Sequence, residues 1–296
     1  MASQRAKPLN SINFEENLLK KNLIFDVGMH KGEDTDFYLK KGFNVIGFEA
    51  DPELIVFCKN RFKNEIAKKK LVIVEGAIVD KIFNNKVKFY KNKVNSVWGT
   101  IVSDWAERNK KNQASSEIIY VNEVDFNECL KKYGVPYYLK IDIEGMDLHC
   151  CKTLLTFNEK PNYISIESEK KNFNLLIDEI QLFEKLGYDK FKIVQQDGIS
   201  KQKEDQYTTE GKYVDYNFVE GSSGLFGDDL PGEWLSEGQV KKKYKNIFFY
   251  YKLFGDYSIL RNFILTRFFL KLFRKFTGIP CPGWHDTHVK KRNLKW

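Results

Sequence analysis

The stretch from Leu23 to Asp51 constrains the fold more than any other part of this chain. An apolar run, Leu23-Ile24-Phe25, ends in Asp26 and breaks at Gly28 and Gly32, the pattern of a buried parallel strand entering a tight glycine turn. The spacing predicts a helix over 33–40. Glu33 and Asp34 fall in its first turn, Lys40 and Lys41 near its end and Gly42 just past it, matching the helix dipole and the usual glycine stop. A second strand, Val45 to Phe48, then delivers Glu49. Strand, glycine turn, helix, strand and terminal acid describe the first half of a nucleotide-binding α/β domain. Its glycines let the backbone approach a ligand, its helix start offers open N–H groups, and an acid about 20 residues on can bind ribose hydroxyls. Glu49 is that acid.

The turn narrows the choice of nucleotide. A dinucleotide site wants Gly-x-Gly-x-x-Gly, but Gly28-Met29-His30-Lys31-Gly32 has His30 in place of the middle glycine, which obstructs a close pyrophosphate. An NAD(P)-dependent oxidoreductase is therefore the weaker reading. The pattern Asp-x-Gly-x-x-x-Gly resembles motif I of the S-adenosylmethionine (SAM) methyltransferases, whose ligand has no phosphate to cradle. The bland alternative is a turn without a ligand.

Later segments extend the same architecture. Asp51-Pro52 reads as the cap and first residue of a helix. A third strand, Leu71 to Val74, ends at Glu75-Gly76-Ala77-Ile78, placed to flank an adenine ring at the carboxyl edge of the sheet. Val87 to Tyr90 reads as a further edge strand. Trp98 is a core anchor or a platform for a sugar ring. The run Tyr137 to Asp147 brings Asp142 and Glu144 to the edge that holds Gly28 and Glu49. No Asn/Asp-Pro-Pro-aromatic run stands there to hold a flipped base, so no nucleic-acid partner is expected. Acids there suit an acceptor hydroxyl, whose proton must leave as the methyl arrives. A fifth strand, Tyr163 to Ile166, ends in Glu167, a helix follows over 173–186, and Phe191 to Val194 reads as the sixth strand. The expectation is an α/β doubly wound, Rossmann-like, mostly parallel seven-stranded sheet with helices on both faces.

By this point the chain resembles the FkbM-type family of SAM-dependent methyltransferases. The residues that carry the likeness are Phe25-Asp26-Val27-Gly28-Met29-His30-Lys31-Gly32, Gly47-Phe48-Glu49-Ala50-Asp51-Pro52 and, most specifically, Lys140-Ile141-Asp142-Ile143-Glu144-Gly145. Members typically methylate sugar or polyketide hydroxyls. The resemblance implies SAM around Asp26, Gly28, Met29, His30, Gly32, Asp34, Thr35, Glu49, Ala50, Gly76, Ala77 and Ile78, with Asp142 near the transferred methyl. It implies an O-methyltransferase for a saccharide hydroxyl, in a free sugar, nucleotide sugar, glycan or glycolipid; a non-sugar metabolite or a protein is the alternative acceptor. Asp142 is the first choice of base and His288 the second, while Glu144 and Glu167 would hold neighbouring hydroxyls. A divalent metal bridging the rim acids is left undecided.

Beyond residue 196 the chain changes character, so residues 1–20 are read as an arm or leading helix, 21–196 as the SAM-binding core and 197–296 as a cap or lid with a final strand. The run from Val219 to Trp234 is glycine-rich with aromatics between, as in a lid or binding loop. In Gly283-Trp284-His285-Asp286-Thr287-His288, the residues Asp286 and His288 alternate on a strand and face one side, either to orient or deprotonate an acceptor or as a plain surface pair. The stretch 257–276 has helical periodicity with Arg267, Lys271, Arg274 and Lys275 on one face, fitting a lid helix or a contact with an anionic membrane or glycolipid.

Composition adds bounds. With 296 residues, 42% of them apolar, one large α/β domain with a proper core is expected. The net charge of +8 suggests an anionic partner or only a solvated exterior. Five cysteines without a Cys-x-x-Cys pair argue against a disulfide framework and a structural zinc site. The chain lacks a run of about 20 apolar residues, and a cytoplasmic protein, or one attached peripherally to a membrane, is expected.

Overall fold

The computed structural model describes residues 21–83, 85–92, 99–103, 116–143, 145–169, 172–219, 221–254, 272 and 284–292. Its frame is a seven-stranded sheet. Strand β1 (Leu23–Val27) leads through helix α1 (Glu33–Lys40) to β2 (Asn44–Glu49), then through α2 (Pro52–Arg61) and α3 (Lys63–Ala67) to β3 (Leu71–Glu75). All five residues of β1 are buried, as a strand covered on both faces requires. Helix α2 starts where Asp51 accepts the Glu53 N–H at 2.8 Å with Pro52 at the first position, as its sequence predicts.

After β3 the chain leaves the main sheet. Strands β4 (Ala77–Ile78), β5 (Lys86–Asn92) and β6 (Ser116–Val124) form a separate three-stranded sheet in the order β4-β6-β5. The Val87–Tyr90 segment is therefore an edge strand, as expected, but of this second sheet and not of the main one. It pairs antiparallel with β6, whose half-exposed alternation suits a sheet with one face in solvent. Helix α4 (Phe126–Tyr133), capped by Asp125, returns the chain to β7 (Tyr138–Ile141), and α5 (Asp147–Thr153), β8 (Tyr163–Glu167), α6 (Phe173–Lys185) and β9 (Tyr188–Gln195) follow. A long cap segment, α7 (Glu237–Phe254) and β10 (His285–Lys291) complete the described chain. Helix α7 had no counterpart among the sequence expectations.

The strands lie in the order β3-β2-β1-β7-β8-β10-β9, parallel except for β10, which runs antiparallel between β8 and β9. The seven-stranded, mostly parallel α/β sheet is thus as expected. Its order reverses between β1 and β7, and ligands of such sheets bind at that point, beyond the carboxyl ends of the strands.

Two cores cover the sheet. One face packs on α4 to α7 through Phe126, Leu154, Ile180, Phe183 and Tyr244. The other packs on α1 to α3 and on the cap segment, through Phe37, Phe62, Phe218, Phe226 and Leu230. The glycine-rich run is therefore a core layer: Phe226 lies flat on Tyr138 with ring centres 4.4 Å apart, and Trp234 stacks on Tyr163 at 6.1 Å. None of the described cysteines is in a disulfide. Among the described residues no helix is long and apolar enough to cross a membrane. The 1–20 arm and nearly all of the 257–276 stretch lie outside the described residues.

Candidate functional site

A buried cation organises the turn after β1. Lys140, inside β7, donates to the Gly28 carbonyl at 2.8 Å and lies 3.2 Å from Asp26 Oδ1 and 3.8 Å from Asp34 Oδ2. Thr35 donates to the other Asp26 oxygen at 2.6 Å. Burial opposes the charge on Lys140, yet the carboxylates of Asp26, Asp142 and Asp34 hold its pKa above the usual lysine range. Burial pushes Asp34 up to about 7 against the pull of Lys140. Both Asp34 oxygens accept the Ser223 N–H, at 2.9 and 3.0 Å, so the cap is tied to the first turn of α1.

This network changes the reading of three predicted cofactor residues. Asp26 and Thr35 are fully buried and do not line the cavity beside them; they hold Lys140, which holds the turn. Gly32 does not line it either. It caps α1 in the left-handed conformation at φ 77°, and a Cβ there would run into the Phe62 ring. Gly28 does line the cavity, but its need for glycine comes from the protein: at φ 84°, a Cβ would strike the Asp142 carbonyl. Packing within the protein is by itself enough to demand glycine at both positions.

The cavity opens at the switch point, and the empty space within and above it, open solvent included, is about 860 Å³. Of the residues expected around the cofactor, Gly28, Met29, His30, Asp34, Glu49, Ala50, Gly76, Ala77, Ile78 and Asp142 line it. Glu49 forms its floor. One of its oxygens accepts the N–H groups of Ala50 and Asp51, both at 2.9 Å, and the other accepts that of His30 at 2.9 Å. An ionised carboxylate offers about four acceptor positions. Three are filled, which leaves one for a ligand hydroxyl. Burial raises the Glu49 pKa to about 7 while the three N–H donors hold it down. His30 stands at φ 51° where a dinucleotide site has glycine, and its N–H is spent on Glu49.

Sequence reasoning missed several walls of this cavity. Phe89 of β5, and Thr100 and Ile101 between β5 and β6, close the Ala77 side, and Gly221 reaches in from the cap. No motif marks them, because only tertiary packing brings them there. Lys140 was legible: a lysine within the buried run Tyr-Leu-Lys-Ile needs a buried counter-charge.

Across the neighbouring strands the acids fall into one row. Asp286 is paired with Glu167, and Asp142 follows Ile141, the partner of Ile166, so Asp142, Glu167 and Asp286 stand side by side at the carboxyl rim. Burial, then the charges of Asp142 and Glu167, raise the Asp286 pKa well above the usual range. His288 does not join them. It faces the same side but lies two residues deeper, paired with Ser165 and Lys192, buried, and does not line the cavity. Burial and Lys192 lower its pKa to about 3, so it stays neutral beneath the cap, out of an acceptor's reach. Trp98 and Glu144 lie outside the described residues. Among the described residues no group of three or more His, Cys, Asp or Glu side chains is placed to hold a metal ion.

The residues present fit SAM: an acid floor with one open acceptor position for a hydroxyl, and apolar walls at Ala77 and Ile78. Residues 26–190, more than half of the 296, match the model described as the methyltransferase FkbM domain. No curated protein sequence matches the chain significantly. Among solved structures, an FkbM methyltransferase from Methylobacillus flagellatus KT is 15% identical at a TM-score of 0.36, covering 58% of this chain and 39% of that one. A SAM-dependent methyltransferase from Archaeoglobus fulgidus is 14% identical at 0.36 and covers 93% of this chain and 89% of that one. A precorrin-6y C5,15-methyltransferase from Geobacter metallireducens GS-15 is 12% identical at 0.35, covering 61% and 70%. Scores this low carry no weight, and the family rests on the match over 26–190. The chain belongs to the FkbM family of methyltransferases, and its cofactor is S-adenosylmethionine.

Proposed function

We propose that this methyltransferase acts on oxygen, transferring the methyl group to a saccharide hydroxyl. The observation that carries the reading is the row of Asp142, Glu167 and Asp286 at the mouth of the cavity, with Asp142 alone of the three lining it. When bound, SAM supplies an electrophilic methyl group on a sulfonium. The chain must then align an acceptor oxygen and take its proton. Asp142 is exposed at the cavity wall, at the end of the strand that carries Lys140, and accepts that proton. Glu167 and Asp286 accept hydrogen bonds from adjacent hydroxyls, a demand that a polyol meets and an isolated amine does not. A cationic amine would compete for the same acids, and for this reason the acceptor screen needs both classes.

The test is turnover of SAM against sugars, nucleotide sugars, glycolipids, amines and peptides, with Asp142→Asn beside the native enzyme. Methylation of a sugar hydroxyl is expected, with kcat about 10²–10⁴-fold lower in Asp142→Asn and SAM affinity little changed. Turnover confined to amines or peptides would overturn the saccharide reading, and an undiminished Asp142→Asn would remove its base.

A further inference from the structure

Helix α7 presents two faces of different chemistry. Val240, Tyr244, Ile247 and Phe248 turn inward onto the core. On the opposite side Lys242, Lys245, Phe249 and Lys252 recur at helical spacing, flanked by Lys243 and Tyr250, and all six are exposed. Phe249 is 60% and Tyr250 51% exposed, an unusual state for neighbouring aromatic rings on a helix. Glu237 is the only acid of the helix and pairs with Lys241.

The position of this face is also specific. Near its C-terminal end α7 borders a small pocket shared with Ser168, just after β8, and His285, at the start of β10, so its aromatic end stands at the carboxyl rim of the sheet. Trp284, 47% exposed, adds a third ring at that end, its carbonyl accepting the Gln196 N–H at 2.9 Å.

We infer that the outer face of α7 is a docking surface for an anionic lipid bilayer. Aromatic rings settle at the headgroup level of a bilayer, lysines reach the lipid phosphates, and clusters of four to eight basic residues on one helix mark such surfaces. The Phe249 and Tyr250 rings meet each other at 6.1 Å and 71°, whereas single-stranded nucleic acid wants a basic groove with rings spaced for successive bases. A second copy of the chain fits poorly, because a two-fold contact through this stripe would set lysines against the same lysines. Docked this way, the chain holds the carboxyl rim beside the membrane.

Flotation of the full chain with vesicles of phosphatidylcholine, alone or mixed with phosphatidylglycerol, tests the surface. Binding to the mixed vesicles only, weakened by added salt, is expected. The variant Lys242→Glu/Lys243→Glu/Lys245→Glu should bind at least about tenfold more weakly, and Phe249→Ser/Tyr250→Ser should also lose binding. Both should keep the native circular dichroism spectrum and SAM affinity, which makes the result independent of the acceptor's identity. Failure to float with either vesicle, equal binding to both, or tighter binding of a single-stranded oligonucleotide that the same variants abolish would overturn the proposal. A dimer in solution that the lysine variant dissolves would overturn it too.

Discussion

The two halves of the catalytic rim are built in different ways. Around the cofactor site, main-chain hydrogen bonds join the ends of β1 and β2 to their neighbours and the Lys140 side chain ties in β7: Gly28 and Met29 donate to the Phe48 carbonyl at 3.1 and 2.9 Å, Gly76 donates to that of Glu49 at 2.8 Å, and Lys140 donates to that of Gly28 at 2.8 Å. On the other side, the row of acids exists because β10 enters the sheet between β8 and β9 from a distant part of the sequence. The first half is specified by contiguous segments and the second by register. Depth shows the consequence. Asp286 and His288 share a face, as strand periodicity demands, yet a step of two residues, about 6.7 Å, separates a rim carboxylate from a histidine sealed beneath the cap.

If the cofactor half is as rigid as its network implies, removing its central cation is the largest insult available. Lys140→Met leaves Asp26 buried opposite an apolar side chain, and a loss of about 3–5 kcal/mol in denaturant unfolding is expected. The double variant Asp26→Asn/Lys140→Met should recover much of it. A single variant of near-native stability would show that the turn does not depend on this pair.

A smaller effect is expected at the floor of the cavity. Glu49→Gln retains the size of the side chain but exchanges an acceptor oxygen for a donor facing backbone N–H groups. SAM should bind about 10–100-fold more weakly by calorimetry, the scale of one charged hydrogen bond. Unchanged affinity would place the ribose elsewhere.

The smallest effect concerns pH and lies away from the cavity. Burial raises Glu179 to about 8, although the Glu169 N–H and the Thr287 hydroxyl donate to it. A carboxyl whose folded pKa is raised binds its proton more tightly in the folded state. Its contribution is complete below the unfolded value near 4.5 and is lost as pH rises towards 8. Asp34, Glu49 and Asp147, each raised to about 7, act in the same direction. Stability of the cofactor-free protein should therefore fall between about pH 5 and pH 8, and Glu179→Gln should flatten that slope by roughly 1–3 kcal/mol. A native slope of opposite sign would mean that these carboxyls are ionised in the fold.

The cofactor half was largely legible because its signals are local. An apolar run, a glycine turn, a helix with charged ends and an acid after the next strand lie within about 30 residues, and parallel strands buried on both faces leave few alternatives. Gly28 and Gly32 were recognised as turn glycines, yet the reason for each lies in a distant partner, the Asp142 carbonyl and the Phe62 ring. Phe89, Ile101 and Gly221 gave no sign of their place in the cavity, since no spacing rule links them to Glu49.

What the sequence by itself determined was the strand-and-turn chemistry of the cofactor site and the family, because backbone geometry, capping and period-two alternation act over short separations. What only the tertiary structure decided was depth and adjacency. It placed Asp286 beside Glu167 and His288 out of reach, turned the glycine-rich run into a core layer, and made Lys140 the counter-charge of two buried acids. Register between distant strands is set by which side chains the whole core can bury together, and no single segment carries that information.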